Sequence, residues 1–240
     1  MKKKSLSVLL IIILFMILGL FFYRDLREKE QITKKNEALL TVKSNQSKVG
    51  DMGKWTIAID DLTDEAGFLV SGIRLNDLTS IQEELLKLKN ENENLIAAFQ
   101  LAIDPLADNE KAEEKLRIVQ QKFDLQNDIM VLFDIKDQYP ISGSSFNSQV
   151  PLKLTTTTVD VQKLQMAFKE QFREHNDAWT RWMDETLMVI DEQVDLVQKA
   201  LELIDRYQPE EAYVVEILIN NIKAPETKRL LSNKLKLKIS

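Results

Sequence analysis

The amino-acid sequence predicts an all-α protein: an N-terminal single transmembrane helix followed by an elongated antiparallel helical bundle with coiled-coil-like seams. Three observations lead there. Ser5 to Tyr23 is a run of nineteen residues without a charge, enough helix to cross a hydrocarbon layer of about 30 Å. From Trp55 onward, apolar residues recur at alternating spacings of four and three, the pattern of one helical face. The chain has no Cys and only six Gly in 240 residues, so disulfide frameworks and glycine-built loops have little to draw on.

Residues 1–4 read as a basic cytoplasmic stub and residues 5–23 as a signal anchor. The apolar run ends in Phe21, Phe22, Tyr23 and Arg24, an aromatic belt in place of the small residues of a cleavage site. No Cys is present to carry a lipid. The positive-inside rule weighs Lys2, Lys3 and Lys4 against Arg24, Arg27, Lys29, Lys34 and Lys35 on the far flank. The raw count favours a cytoplasmic body, whereas a basic start before an apolar run is the usual export signal. The expected topology is single-pass, with an extracytoplasmic body. Residues 24–50 are expected to form a charged stalk, without a sustained apolar repeat, that frays between Ser44 and Gly50.

Residues 51–207 form the predicted bundle. Trp55, Ile59, Leu62, Ala66, Leu69 and Ile73 mark a first helix, although KWTIAI alone also has strand composition. Ile81, Leu85, Leu88, Asn92, Leu95 and Phe99 mark the next, with Thr79 and Gln82 spaced as a capping box. Pro105 ends it. The seam Ala112, Leu116, Val119, Phe123, Gln126, Met130 follows after a short connection, so these two helices are expected to be antiparallel neighbours. Tyr139 to Lys153 is a loop by its Pro, Gly, Ser and Asn content.

From Thr158 to Tyr207 there is no Pro and no Gly, which predicts one helix of about 75 Å, capped by Thr157 with Asp160 in its first turn. One seam runs its full length through Phe168, Phe172, His175, Trp179 and Trp182. A second begins at Met183 and continues through Leu187, Ile190, Val194, Val197, Leu201 and Ile204. The second half therefore needs more cover than the first. Residues 208–240 are predicted to supply it as a basic helical hairpin, with Pro209 and Pro225 as helix starts.

The net charge of −6 conceals a polarity. Residues 24–48 carry seven basic and four acidic groups, residues 49–222 carry 16 and 33, and residues 223–240 carry six and one. Self-packing of the basic tail on the acidic middle competes with attraction to anionic lipid or an anionic polymer. No nucleic-acid-binding signature accompanies the charge, and no nucleic-acid partner is expected.

Signals of chemistry are sparse. There is no phosphate-cradling glycine loop, HExxH, GxSxG or EF-hand pattern. The single His, His175, lies on the long seam, where a polar register position or a pH-sensitive contact are the two readings. Asp60, Asp61, Asp64 and Glu65 cluster within about a turn, but a run of this kind is ordinarily a solvated face, and oxygen-rich cation sites use purpose-built loops. No catalytic residue, cofactor or metal is therefore assigned. Asn92, Gln126, Gln165 and Gln193 interrupt apolar seams, as residues that fix register do, or as residues lining a cavity would. Phe172, His175, Trp179, Trp182, Met183, Leu187 and Ile190 make up a candidate interaction surface, since aromatic residues serve both as core and as partner anchors.

The layout of stub, span and external helical region resembles that of the septal coiled-coil proteins of bacterial division. Those proteins start their zipper directly after the membrane, and Arg24 to Val49 departs from that pattern. The expected function is a non-enzymatic, membrane-anchored helical scaffold or interaction module of the bacterial cell envelope, engaging a protein partner or a second copy of itself. The alternative is a small-molecule-sensing bundle that works with a separate signalling partner.

Overall fold

In the computed structural model the chain is mostly helical. The structure describes residues 2–103 and 107–239, with side chains except at residues 2–13, Phe15 and Ala107. The expected span from Ser5 to Tyr23 thus lies largely outside the described side chains. Among the described residues no helix is long and apolar enough to cross a membrane. Pro105, expected to end a helix, also lies outside the described residues.

The helices are α1 (Lys2–Val49), α2 (Lys54–Asp60), α3 (Leu75–Phe99), α4 (Ala107–Val131), α5 (Thr158–Gln171), α6 (Ala178–Asp205), α7 (Ala212–Asn221) and α8 (Pro225–Ile239). A two-residue hairpin, β1 (Ile141–Ser142) and β2 (Ser145–Phe146), pairs Ile141 with Phe146 in the Tyr139 to Lys153 loop. The chain divides into two compact units. One comprises residues 1–57 and 80–113, the other residues 58–79 and 114–240.

In the first unit α1 continues unbroken to Val49, which corrects the expectation of a seamless, fraying stalk. Ala38, Val42, Asn45 and Val49 are buried at spacings of four, three and four. The apolar members are small or β-branched and few, so the repeat is brief and easily overlooked in a charged stretch. Ala38 and Val42 pack with Leu95, Ile96, Phe99 and Leu101, while Asn45 Nδ2 donates to Asn92 Oδ1 at 3.0 Å. These contacts run α3 antiparallel to α1. α4 enters beside α3 through the Lys89–Glu113 ion pair at 3.1 Å and the bond from Asn109 Nδ2 to the Leu85 carbonyl. Gly53 makes the turn after α1 possible, since a Cβ there would collide with the Lys48 carbonyl.

Two predicted helix limits change. The helix at Trp55 ends at Asp60 instead of running to Ile73. Asp64 takes the backbone N–H groups of Ala66 and Phe68 on its Oδ1, a local turn that competes with helix. A bridge between Thr63 and Leu69 closes the loop. Residues 54–60 are nonetheless helix, not strand. α3 starts at Leu75, where the Arg74 N–H is accepted by Asp77 Oδ2. Thr79 lies inside it, bonded to the Leu75 carbonyl, and caps nothing.

The second unit holds the largest correction. The predicted 50-residue helix is two helices, α5 and α6, separated at Phe172 to Asp177. Thr158 N–H reaches Gln198 Oε1 at 3.1 Å and Phe168 stacks near Trp179, so α5 and α6 are an antiparallel hairpin. The break needs neither Pro nor Gly. Asp177 accepts the Thr180 N–H at 2.7 Å as the N-cap of α6, and the Thr180 hydroxyl donates to the Asp177 carbonyl. At the head of α5 the Thr157–Asp160 capping box is present as a reciprocal pair.

The doubled seam of α6 is fully consumed. Met183, Leu187, Ile190, Val194, Val197 and Ile204 share one core with Val215 and Ile219 of α7, with Ile222, and with Leu231 and Leu235 of α8. Gln193 fastens this arrangement by accepting the Lys223 N–H at 2.7 Å. The tail therefore folds back on its own chain.

Leu231, wholly buried under α6, is expected to cost about 2–5 kcal/mol on replacement by Ala, through lost burial plus a cavity. Leu230, about a third exposed on the same helix, is expected to cost less than about 1 kcal/mol. Urea unfolding followed by tryptophan fluorescence compares the two. Equal effects would show that the tail does not depend on this packing.

Candidate functional site

Most of the candidate interaction surface is interior. Trp179, Met183 and Leu187 are completely buried, and Ile190 and Phe172 nearly so. Only Trp182 and His175 are half-buried. Phe168, Phe172 and Trp179 form one aromatic cluster, with centroids 5.0–6.3 Å apart. The His175 ring meets the edge of Phe172 at 5.9 Å. The hairpin turns this seam inward on itself, so Phe172, Trp179, Met183, Leu187 and Ile190 are core, with Trp182 packed at its edge.

At the centre of the cluster is Lys122 of α4, a residue that seam counting passes over as a surface charge. Its side chain is 4% exposed. The ammonium donates to Asp177 Oδ2 at 2.7 Å and to the Gly67 carbonyl at 2.8 Å, and lies 4.7 Å from the centroid of the Trp179 ring. A carboxylate, a carbonyl and an aromatic face thus replace its hydration. Gly67 is required twice over. Its φ is +85°, and a Cβ would stand 2.9 Å from Asp177 Oδ2 and 3.2 Å from Lys122 Nζ. The next residue, Phe68, packs edge-on against Trp182 at 5.4 Å. Burial raises the pKa of the Asp177 carboxyl, but the Lys122 ammonium and the Thr180 N–H outweigh it and hold the group below its ordinary range. This is an architectural centre. The Lys122 ammonium and the Asp177 carboxylate are satisfied by one another, the Gly67 carbonyl and the Thr180 N–H.

The acidic run is dispersed. Asp60 pairs with Lys115 at 2.8 Å, and Asp64 is occupied by its own turn. Among the described residues no group of three or more His, Asp or Glu is placed to hold a metal ion.

Of the interrupting polar residues, Asn92 and Gln193 join helices, as described above. Gln126 and Asn92 each keep a buried amide nitrogen without a hydrogen-bond partner, but Gln126 differs in lining an open cleft of about 420 Å³. The cleft lies between three segments, the loop at Leu69 to Ile73, α4 from Phe123 to Met130, and the hairpin start at Tyr139 to Gly143. None of its thirteen lining residues is charged, in a chain where 29% of residues are. Two other open hollows of the same unit carry charge, one at Asp134, Lys136, Asp137 and Glu226 and one at Asp128, Lys153, Asp160 and Lys163, while a much smaller one under Phe133 and Ile190 is also uncharged. The apolar wall of Leu69, Ile73, Phe123, Met130 and Ile141, with amides from Gln126 and Asn127, has the composition of a small-ligand site. The sequence marked Gln126 and Met130 on a seam, but not the loop and hairpin that complete the cleft.

Replacing Lys122 by Met is expected to leave the Asp177 carboxylate short of its partner and to cost about 1–3 kcal/mol. That is below the figure of about 3–5 kcal/mol for a fully buried pair, since Asp177 is partly exposed. Because the folded-state pKa of Asp177 is depressed, its contribution is present above the unfolded value of about 3.9 and is lost as pH falls through the folded value. Asp177→Asn should therefore flatten the fall in stability below about pH 4. Urea midpoints measured from pH 2 to pH 7 test this, and an unchanged acid slope would remove the pair from that role.

Comparison with protein-family models, with curated proteins and with solved structures returns no match for this chain.

Proposed function

We propose that this chain is a non-enzymatic, membrane-anchored helical interaction module of the bacterial cell envelope, with its body outside the cytoplasm. The observation that carries the reading is the continuity of α1. It is one helix of 48 residues, about 72 Å long. It begins at Lys2, takes in the uncharged run at Ser5 to Tyr23 and ends in the buried seam Ala38 to Val49. A helix packed at one end and apolar at the other couples an anchor to a folded body without a flexible linker. The described side chains of the apolar run support the anchor. Met16, Leu18, Leu20, Phe21 and Phe22 are each more than half exposed, a costly arrangement in water and a favourable one in lipid.

Support for an interaction role comes from what the fold does with its polar groups. The sole His packs against Phe172, the buried Lys is held by Asp177, Asp60 pairs with Lys115 and Asp64 closes its own turn. The uncharged cleft combines an open surface with the unspent hydrogen-bonding capacity of Gln126.

The full chain is expected to sediment with membranes and to be released by detergent but not by high salt. A chain lacking residues 2–23 should be soluble. In this Cys-free protein, Met52→Cys places a thiol at a position 88% exposed, and an impermeant maleimide should label it on intact cells. Release of the full chain by salt would sink the anchor, and labelling only after lysis would sink the external orientation.

A further inference from the structure

We infer that the uncharged cleft at Gln126 binds a neutral peptide segment, an apolar side chain with its flanking backbone amides, contributed by a partner protein. The inference rests on the interaction-module reading and assigns that reading a site. Three properties of the cleft select this chemistry. The first is the missing charge. A site for an anionic or cationic ligand places a counter-charge at its wall, and this wall offers only hydroxyl, amide and apolar groups.

The second property is Gln126. A buried amide N–H without an acceptor is uncommon, because it forgoes a hydrogen bond. The terminal torsion of Gln is broad, so the amide of Gln126, which lines the cleft, can present that N–H to a ligand seated there. A carboxamide that donates and accepts side by side is matched by a peptide group, which does the same in reverse. This complementarity holds whichever way the Gln126 amide is turned.

The third is the form of the rim. Gly72 and Gly143 both line it, with no atom within 4 Å of where a Cβ would stand at either, so an extended backbone can approach these positions closely. Between them, Phe123, Met130 and Ile141 provide a wall for one side chain. A neutral saccharide shares the hydrogen-bonding groups but carries no apolar side chain to fill the space between Phe123, Met130 and Ile141. The peptide is therefore the better fit.

The test uses the full chain in detergent micelles with ¹³C-methyl methionine. Met130 lines the cleft and Met183 is sealed in the core, so one methyl reports binding and the other reports the fold. The probes are acetyl-leucyl-phenylalanine amide, the same dipeptide with free charged termini, and chitobiose. The capped dipeptide should shift the Met130 methyl saturably at millimolar concentration, with Met183 unmoved. The charged form should bind more weakly. Gln126→Leu should weaken the capped dipeptide about three- to tenfold, the range of one neutral hydrogen bond, with the Met183 signal in place.

No saturable Met130 shift up to about 10 mM, weaker than any useful site, overturns the inference. So does a shift produced by chitobiose in place of the dipeptide, or an unaltered affinity in Gln126→Leu. The parent reading is tested separately. A photo-reactive residue at Tyr213, away from the cleft and 72% exposed, should capture a specific envelope protein in cells. Capture there with a silent Met130 discards the cleft alone, whereas no capture from either Tyr213 or Tyr139 discards the interaction module itself.

Discussion

The second unit depends on keeping one ammonium out of water. Lys122 is almost fully enclosed, and a lone buried cation is among the most unfavourable groups a core can hold. Its three partners come from two stretches, each about 55 residues from it in sequence: the Gly67 carbonyl on one side, and the Asp177 carboxylate with the nearby Trp179 ring on the other. Bringing them together fixes the 61–74 loop, α4 and the head of α6 against one another. The glycine, the capping aspartate and the fully buried tryptophan are not independent choices, since each is needed for the ammonium to be covered.

That constraint explains why the chain turns back at Phe172. A continuous helix through Asp177 would take the carboxylate away from its place as N-cap and separate Phe168 and Phe172 from Trp179. Folding α5 onto α6 closes the aromatic cluster over the ion pair and uses the first half of the long seam internally. The second half then has a free flank, and α7 and α8 occupy it. The tail's excess of basic residues is compatible with this, because its buried contacts are Thr227, Leu231 and Leu235 while its charged side chains point outward. The hydrophobic faces, more than charge, decide where the tail lies.

How much could be read from sequence follows from which interactions are periodic. The helices α3, α4, α7 and α8, the N-cap at Thr157 and the proline helix starts have local signals, and they are present within a few residues of expectation, whereas the capping box expected at Thr79 is not formed. The covering of Met183 to Ile204 was also legible, as a face too wide for one partner. The break at Phe172 was not. An Asp that caps looks like any surface carboxylate until its distant partner is known, and the unbroken seam across residues 172–182 suits a hairpin turned on itself as well as a straight helix. Lys122 and Gly67 were invisible for the same reason, being defined by contacts 55 residues away. Of the cleft, the sequence showed Gln126 out of place on an apolar seam, which was a signal, but a loop and a hairpin with no periodicity supply the other walls.

The anchor and the cleft fit together energetically if both assignments hold. A cleft of about 420 Å³ admits one side chain and its neighbouring amides, and ligands of that size are held at micromolar to millimolar strength. Such affinity would be of little use to a protein free in solution. Confinement to a membrane changes this, because a partner in the same layer is met at an effective concentration that can itself reach millimolar. The strong negative charge of residues 49–222 works in the same direction. It discourages adventitious association with anionic surfaces, while an uncharged cleft binds a neutral segment without that penalty and with little dependence on salt. Weak local recognition, raised by tethering and filtered by charge, is a coherent use of a fold whose strongest interactions are all turned inward.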